Sequence, residues 1–495
     1  MNYLGIDLGT SEVKVLLLGD DHQVVAQAGA PLEVSRPCPL WSEQNPADWW
    51  QATCAALDQL AATVGPAAMA SVGGIGLAGQ MHGAVVLDRD QVVLRPAILW
   101  NDGRSAAECQ ILTDTLPRLA DIAGNLAMPG FTAPKLLWLQ RHEPDVFAKT
   151  ASVLLPKDWL RLQLTGDRVS EMSDAAGTLW LDVGQRRWSE ALLDACGLKM
   201  SHMPRLVEGS EASGRLRDDL ARRWGLPPHV VVAGGGGDNA ASAVGIGAVQ
   251  PGSGFISLGT SGVLFVTTDR FRPNPALAVH AFCHALPGRW HQMSVMLTAA
   301  ECLRWAADLT GAADVTQLLD GVARLSPEQM NRAPLFLPYL SGERTPHNDP
   351  HAKGALVGLS LDHGPAHVAY AVMEGVTFGL LDGLLALQQA GTHVLRLSLV
   401  GGGARSPVWA QQLASAMNVE IVTHVGGHAG AALGAARLAW LAGGGDEAQV
   451  CQAPQVEHAY VPQPLERERL MARHARFRAL YPALQASFHG AAQAT

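Results

Sequence analysis

Two short segments of the chain are suited to holding phosphate, and they match one another. The first reads Ile6-Asp7-Leu8-Gly9-Thr10-Ser11. The second, 250 positions further on, reads Ile256-Ser257-Leu258-Gly259-Thr260-Ser261. In each, an apolar strand runs into a Gly-Thr-Ser turn and strand-like residues follow, Val13 to Leu18 and Val263 to Thr267. Such a turn gathers backbone N–H groups and two hydroxyls at one point, which suits phosphate oxygens. One position separates the copies chemically. Asp7 brings a carboxylate that can hold Mg²⁺ or meet a phosphoryl group through it, whereas Ser257 brings no charge. The repeat predicts two similar α/β domains with facing loops, and its asymmetry predicts a nucleotide site with divided roles.

A second carboxylate, Asp238, follows the four glycines Gly234 to Gly237 and precedes Asn239. Four glycines cost folding entropy, so a close backbone approach or a positive φ is expected there. Asp238 at the start of a helix can act as a general base toward a hydroxyl that attacks a γ-phosphoryl group, with the helix N-terminus favouring its ionised form. Its other reading is a helix N-cap with no catalytic duty. Gln80-Met81-His82-Gly83 ends a Gly-rich strand, where His and Gln can bond sugar hydroxyls and Met can line an apolar wall. Trp100-Asn101-Asp102-Gly103-Arg104 follows another strand; Asp102 could bind a polyol and Arg104 orient it, or the segment is simply a good turn. Gly401 to Gly403 lack the third glycine of a dinucleotide fingerprint, there is no Walker A Lys-Ser/Thr, and no Gly-x-Ser-x-Gly elbow stands in a convincing strand–turn–helix. His280, His284 and His291 lack metal-ligand spacing.

These side chains need strands that end in glycine-rich loops. The pattern predicts strands at 3–9, 13–18, 24–29, 70–78, 85–87, 95–100, 230–233, 395–400 and 419–422. A helix should start at Pro46, with Asn45 as N-cap, and run to about Leu60. Helices should dominate 104–225. A long helix is expected over 366–390, a small-residue helix over 431–440, and a C-terminal helix from Glu466 that Pro482 ends. Ligands of open α/β sheets sit beyond the carboxyl ends of such strands. With 495 residues, two large domains are the natural count. Hydrophobic residues make up 48% and charged residues 16%, a globular balance that excludes a disordered chain. Net charge is −9 with no Lys/Arg cluster, which argues against a nucleic-acid partner. Apolar stretches look too short for a membrane span, and the N-terminus runs directly into a strand. Seven scattered cysteines, none in Cys-x-x-Cys, fit a reducing cytoplasm.

Taken together, the chain resembles the FGGY carbohydrate kinases of the sugar kinase, Hsp70 and actin superfamily. The resemblance rests on Ile6–Ser11, Ala78–Gly83, Leu99–Arg104, Pro129–Lys135, Leu155–Asp158, Ser173–Gly177, Gly236–Ala240 and Leu337–Pro346. It implies two ribonuclease H-like (actin-like ATPase) domains, residues 1–245 and 246–484, with a frayed tail at 485–495 and the active site in the cleft between domains. Within the family, the Gln-Met-His-Gly stretch resembles the ketopentose branch, which implies phosphorylation of D-xylulose at O5 by MgATP. Kinases for ribulose, glycerol or gluconate are the alternatives, and a nucleotide-switched binding protein of the same superfold is the reading from another class. The resemblance implies Asp238 as catalytic base and Asp7 near Mg²⁺ and the phosphates. It implies Met81, His82, Trp100, Asn101, Asp102, Asp238 and Asn239 on the sugar side. On the nucleotide side it implies Thr10, Ser11, Gly259, Thr260, Ser261, Gly402, Gly403, Ala404 and Ser406. A homodimer is a family-level expectation. Gly427-His428-Ala429-Gly430 departs from the family's usual stretch and leaves nucleotide contacts there open.

Overall fold

The computed structural model describes residues 1–425 and 430–490. The stretch 426–429 singled out above, and residues 491–495 of the expected tail, lie outside the described residues.

Two mixed sheets repeat one plan. In the first, hairpin-connected strands Asn2–Leu8, Glu12–Gly19 and Val24–Pro31 run antiparallel, and Val72–Gly79 then Val231–Ala233 add in parallel on the other side of the first strand. In the second, Ser253–Leu258, Gly262–Thr268 and Trp290–Met296 form the meander, and Arg396–Val400 and Glu420–His424 add in parallel. The expected pair of ribonuclease H-like α/β domains is therefore present, each phosphate-loop segment lying in the first hairpin of its sheet.

Most predicted elements are where their local signals place them. The Asn45 side chain accepts the Ala47 N–H at 3.1 Å and Pro46 occupies the first turn. This helix runs on to Met69, past the expected Leu60, with a kink at Gly65-Pro66. The strand expected over 95–100 shrinks to Ala97–Ile98, and 104–225 mixes helices with short strands. Pro482 does not end the last helix, which spans Pro464–Gly490. Tyr481 beside it bonds Asp349 at 2.8 Å, and Phe488 is buried in the second domain's core, so tertiary anchors hold the chain helical where the missing N–H would release it. Residues 485–490 thus belong to a helix, not to a frayed end. The helix Pro365–Gln389 is long and apolar enough to cross a membrane, contrary to the expectation from apolar run length, yet it is the buried central helix of the second core.

The halves meet through two helices made of small residues. Asp238–Gly245 follows the first sheet, and Gly430–Ala442 follows the last parallel strand of the second. The latter crosses to the first sheet, where Gly5, Gly74 and Gly76 let its backbone in. A Cβ on Gly76 would stand 1.8 Å from the Ala435 carbonyl oxygen. Asn125 and Arg186 tie the helical part of the first half to the second sheet's edge, bonding Ala281 O at 3.0 Å and Arg289 O at 2.7 Å.

Candidate active site

Asp7 stands at the carboxyl end of the first strand, paired across the sheet with Ala78 on one side and Lys14 on the other. Asp238 opens the helix Asp238–Gly245, whose N-cap is Gly237, so it is a first-turn residue and not the cap. The glycine run brings it there by close contact. A Cβ at Gly234 would lie 2.1 Å from Glu208 O, and one at Gly235 (φ +79°) 2.1 Å from Leu77 O. Gly236 and Gly237 then pair with Ala78 and Gly79, which sets Asp238 beside the end of the strand that leads into Met81 and His82.

The two carboxyls interact. Asp7 is pushed up to about 7, first by burial and next by Asp238; Lys14 opposes the rise, but its ammonium is already held by Glu12 at 2.7 Å. Asp238 is also raised by burial, against the Asn239 backbone N–H at 2.7 Å and the Asn239 Nδ2 at 2.9 Å, both donating to Oδ1. Desolvation outweighs the helix N-terminus here, the reverse of the expected balance. A shortage of positive charge around two neighbouring carboxyls fits a divalent cation. Among the described residues no cluster of three or more metal-capable side chains occurs, so side chains such as Asp7 would supply at most two ligands.

His82 adopts φ +69°. Its carbonyl accepts Lys135 Nζ at 2.8 Å and Thr132 Oγ1 at 3.1 Å, which holds that backbone in place. Its Nδ1 lies 2.7 Å from Gly177 O; a carbonyl only accepts, so Nδ1 carries the proton and Nε2 is left with a lone pair. Burial pushes the ring down to about 3, so His82 is neutral. Its Nε2 therefore offers an acceptor. Met81 is buried with its thioether close against Gly237.

The remaining expected residues divide. Trp100 is exposed and donates Nε1–H to Thr10 Oγ1 at 3.0 Å; Asn101 is exposed beside it, as is Ser11 on the loop. Gln80 braces the first phosphate loop, donating to Gly9 O at 3.3 Å and to Gln44 Oε1 at 3.1 Å, while Gln44 donates to Thr10 O at 2.7 Å. Asp102 is bonded by its own neighbours. Its carboxylate is buried and accepts from Arg104 Nε and Nη2 and from the Ser42 and Arg104 backbone N–H groups, at 2.6–2.9 Å. Arg104 in turn stacks on Trp41 with its guanidinium 3.6 Å from the ring centroid. This pair braces the Trp100 turn. On the other side of the cleft Thr260 and Ser261 are exposed and Gly259 is half-buried. Gly402 is exposed, Gly403 lies against Leu258, Ala404 is half-buried, and Ser406 caps the helix Pro407–Met417 by accepting the Trp409 N–H at 3.3 Å. A cavity of about 390 Å³ opens beside Gly401, Ala404 and Arg405.

Residue type and spacing alone gave no role to a buried charge cluster beneath the site. Lys157 Nζ reaches Asp158 at 2.6 Å, Asp174 at 3.0 Å and Glu171 at 3.4 Å, all with fully buried side chains. Arg161 donates to the carbonyls of Ala233 at 2.7 Å and Gly234 at 2.6 Å. Ser173 Oγ accepts the Gly237 N–H at 3.0 Å and donates to Glu171. One cluster thus holds both ends of the glycine run before Asp238, and the Gly177 carbonyl after it fixes His82. The second half also reaches the sugar side, which the domain division did not anticipate: the Phe282 ring lies 6.2 Å from that of His82, and the Arg344 charge helps keep His82 neutral.

Comparison with known proteins decides the family. The N-terminal domain model of the FGGY family of carbohydrate kinases matches residues 2–245, and its C-terminal domain model matches residues 254–443. The chain belongs to the FGGY carbohydrate kinases. Among its FGGY relatives, the xylulose kinase of Escherichia coli K12 is 51% identical over 97% of this chain and 99% of that protein. The xylulose kinase of Klebsiella pneumoniae is 54% identical over 89% and 90%. A crystal structure described as a xyloylose kinase from Brucella ovis superposes with a TM-score of 0.95 at 50% identity, covering 98% of this chain and all of that one. This FGGY kinase therefore groups with the xylulose kinases.

Proposed function

We propose that this FGGY kinase transfers the γ-phosphoryl group of ATP to O5 of D-xylulose, giving D-xylulose 5-phosphate and ADP. The observation that carries the reading is the half-buried pair Asp7 and Asp238 near a neutral His82, within a chain half identical to a xylulose kinase along nearly its whole length. Asp238 accepts the O5 proton as that oxygen attacks the γ-phosphorus, the bond from phosphorus to the ADP oxygen breaks, and ADP leaves with the electron pair. Its raised pKa makes it a stronger base than an exposed carboxylate, and its Asn239 bonds hold it in place as the proton arrives. His82 Nε2 accepts a sugar hydroxyl and Met81 lines the chain of carbons. Asp7 would hold the Mg²⁺ that accompanies ATP, a cation that neutralises charge on the transferring phosphoryl group. The exposed hydroxyls and N–H groups of Thr10, Ser11, Thr260 and Ser261 are available to the phosphates, and the cavity beside Gly401 to the base. A cytoplasmic setting belongs to the same reading, since all seven cysteines are free thiols.

The test is an ADP-release assay of the full chain with MgATP over D-xylulose, L-xylulose, D-ribulose, L-ribulose, glycerol and D-gluconate. D-xylulose should give the highest kcat/KM. A preference for glycerol or gluconate would overturn the substrate assignment and leave the kinase family intact.

A further inference from the structure

Arg344 is a charge without a counter-charge. It is half-buried; burial pulls its pKa down and the Glu343 charge opposes the fall. Among the described residues its one side-chain contact is His280 Nε2, at 3.5 Å from Nη1. The adjacent Glu343 does not pair with it. That carboxyl turns back to accept the N–H of Leu297 at 3.2 Å and of Arg344 itself at 2.7 Å, and burial pushes it up to about 8. A half-buried guanidinium with no carboxylate bonded to it keeps N–H donors free, and those donors point to a ligand.

The surroundings say which part of a ligand. Asn125 Nδ2 donates to two carbonyls, Ala123 O and Ala281 O, so its Oδ1 is the acceptor facing His280 Nδ1 at 2.9 Å. His280 Nδ1 therefore carries the proton and its Nε2 presents a lone pair, as His82 Nε2 does. Both rings are held neutral, burial being the largest cause and Arg344 contributing in each case. The Phe131 ring lies between them, 4.6 Å from His82 and 5.7 Å from His280. His280 Nε2 already faces Arg344 Nη1, so this end of the site offers His82 Nε2 as an acceptor and the remaining Arg344 N–H groups as donors. A hydroxyl group can satisfy the acceptor by donating. A carbonyl oxygen accepts only, and Arg344 is the donor left to meet it. Arg344 also lies away from the reacting oxygen: its charge acts on His82 and His280, whereas Asp7 responds to Asp238, Lys14 and Glu12. Met81 packs against Gly237, the residue before Asp238, and His82 follows Met81 with the Arg344 charge acting on its ring.

We propose that Arg344 is a specificity-determining residue that donates to the C2 carbonyl oxygen of an open-chain ketose whose other end is phosphorylated at Asp238. This rests on the sugar-kinase reading above and deepens it: the second half of the chain would contribute not only nucleotide contacts but the group that distinguishes a ketose from its alditol.

The test compares wild type, Arg344→Lys and Arg344→Met on D-xylulose and on xylitol, the same carbon chain with the carbonyl reduced. A charge-assisted hydrogen bond contributes about 1.5–3 kcal/mol, so Arg344→Met should lose about 10–150-fold in kcat/KM for D-xylulose. Most of that loss should appear in KM for the sugar. Activity on xylitol should change little, KM for ATP should hold, and Arg344→Lys should recover part of the preference. An equal loss on both substrates, or a fall in sugar-independent ATP hydrolysis, would place Arg344 at the phosphoryl group and overturn the proposal. So would unchanged discrimination in a variant with wild-type Tm. If D-xylulose is not the substrate but another ketose is, the same comparison runs on that ketose and its alditol, so failure of the substrate assignment stays separate. A preferred substrate without a carbonyl overturns the inference itself.

Discussion

Asp7 and Asp238 illustrate how a site can be arranged for catalysis at the expense of stability. With Asp7 at about 7 in the folded chain against 3.8 as an ordinary carboxyl, the folded state keeps a proton that the unfolded state has released. Stability therefore falls as pH rises across that window, and below it the penalty is absent. Asp7→Asn removes the charge and keeps the shape. Its Tm should exceed that of wild type at pH 8, the gain should shrink toward pH 4, and turnover should be lost; calorimetry across pH checks this, and a lower Tm at pH 8 would contradict it. Asp238→Asn tests the other carboxyl. It should cut kcat about 10²–10⁴-fold while D-xylulose still binds, because only the proton acceptor is gone. Retention of more than about a tenth of wild-type kcat would remove Asp238 from the role of base. His82, pushed down to about 3, should contribute no limb to the pH–rate profile near neutrality.

At the scale of elements, the cluster around Lys157 is what makes those residues exact in position. Ser173 touches no expected ligand, yet it receives the N–H of Gly237, the residue before the proposed base. Ser173→Ala leaves that buried N–H without its partner, a loss of about 1–3 kcal/mol in local order. The expected outcome is a lower kcat with KM for ATP unchanged, and recovery in Ser173→Thr, which keeps the hydroxyl. An unaltered kcat in a stable Ser173→Ala protein would reduce the cluster to packing. The sequence makes some of this design readable and hides the rest for a physical reason. Asn45-Pro46 marks a helix start because capping is local, and the glycines before Asp238 mark a close approach because only glycine tolerates it. Pro482 misleads because Tyr481 and Phe488 anchor its helix from outside the local window. The type of Asp102 does not reveal that Arg104 and Ser42 bond its oxygens. The nearness of Arg344 and His280 to His82 is created by folding alone, since the three lie on separate elements far apart along the chain.

The whole molecule has to bring the loops at 9–11 and 259–261 to one phosphate chain, and the way its halves are joined limits how. They are locked through the helices Asp238–Gly245 and Gly430–Ala442, where a Cβ on Gly434 would fall 1.7 Å from Ala241 O. A second tie runs through Asn125 and Arg186 on the His82 side. The crossing at 246–252 is largely buried, so it is not a free hinge of the kind its glycines suggest. Movement should therefore pivot on the small-residue helix pair, with the nucleotide loops travelling and the sugar end already closed. Closing the loops over ATP would exclude water that otherwise accepts the phosphoryl group. A compact chain of this length has a radius of gyration of about 23 Å. Solution scattering should show a larger value for the free protein than for the protein with D-xylulose and a non-hydrolysable ATP analogue, and the analogue alone should produce most of the decrease. Identical curves with both ligands demonstrably bound would mean that the cleft is preformed, and a decrease driven by D-xylulose alone would move the pivot to the Asn125 and Arg186 side.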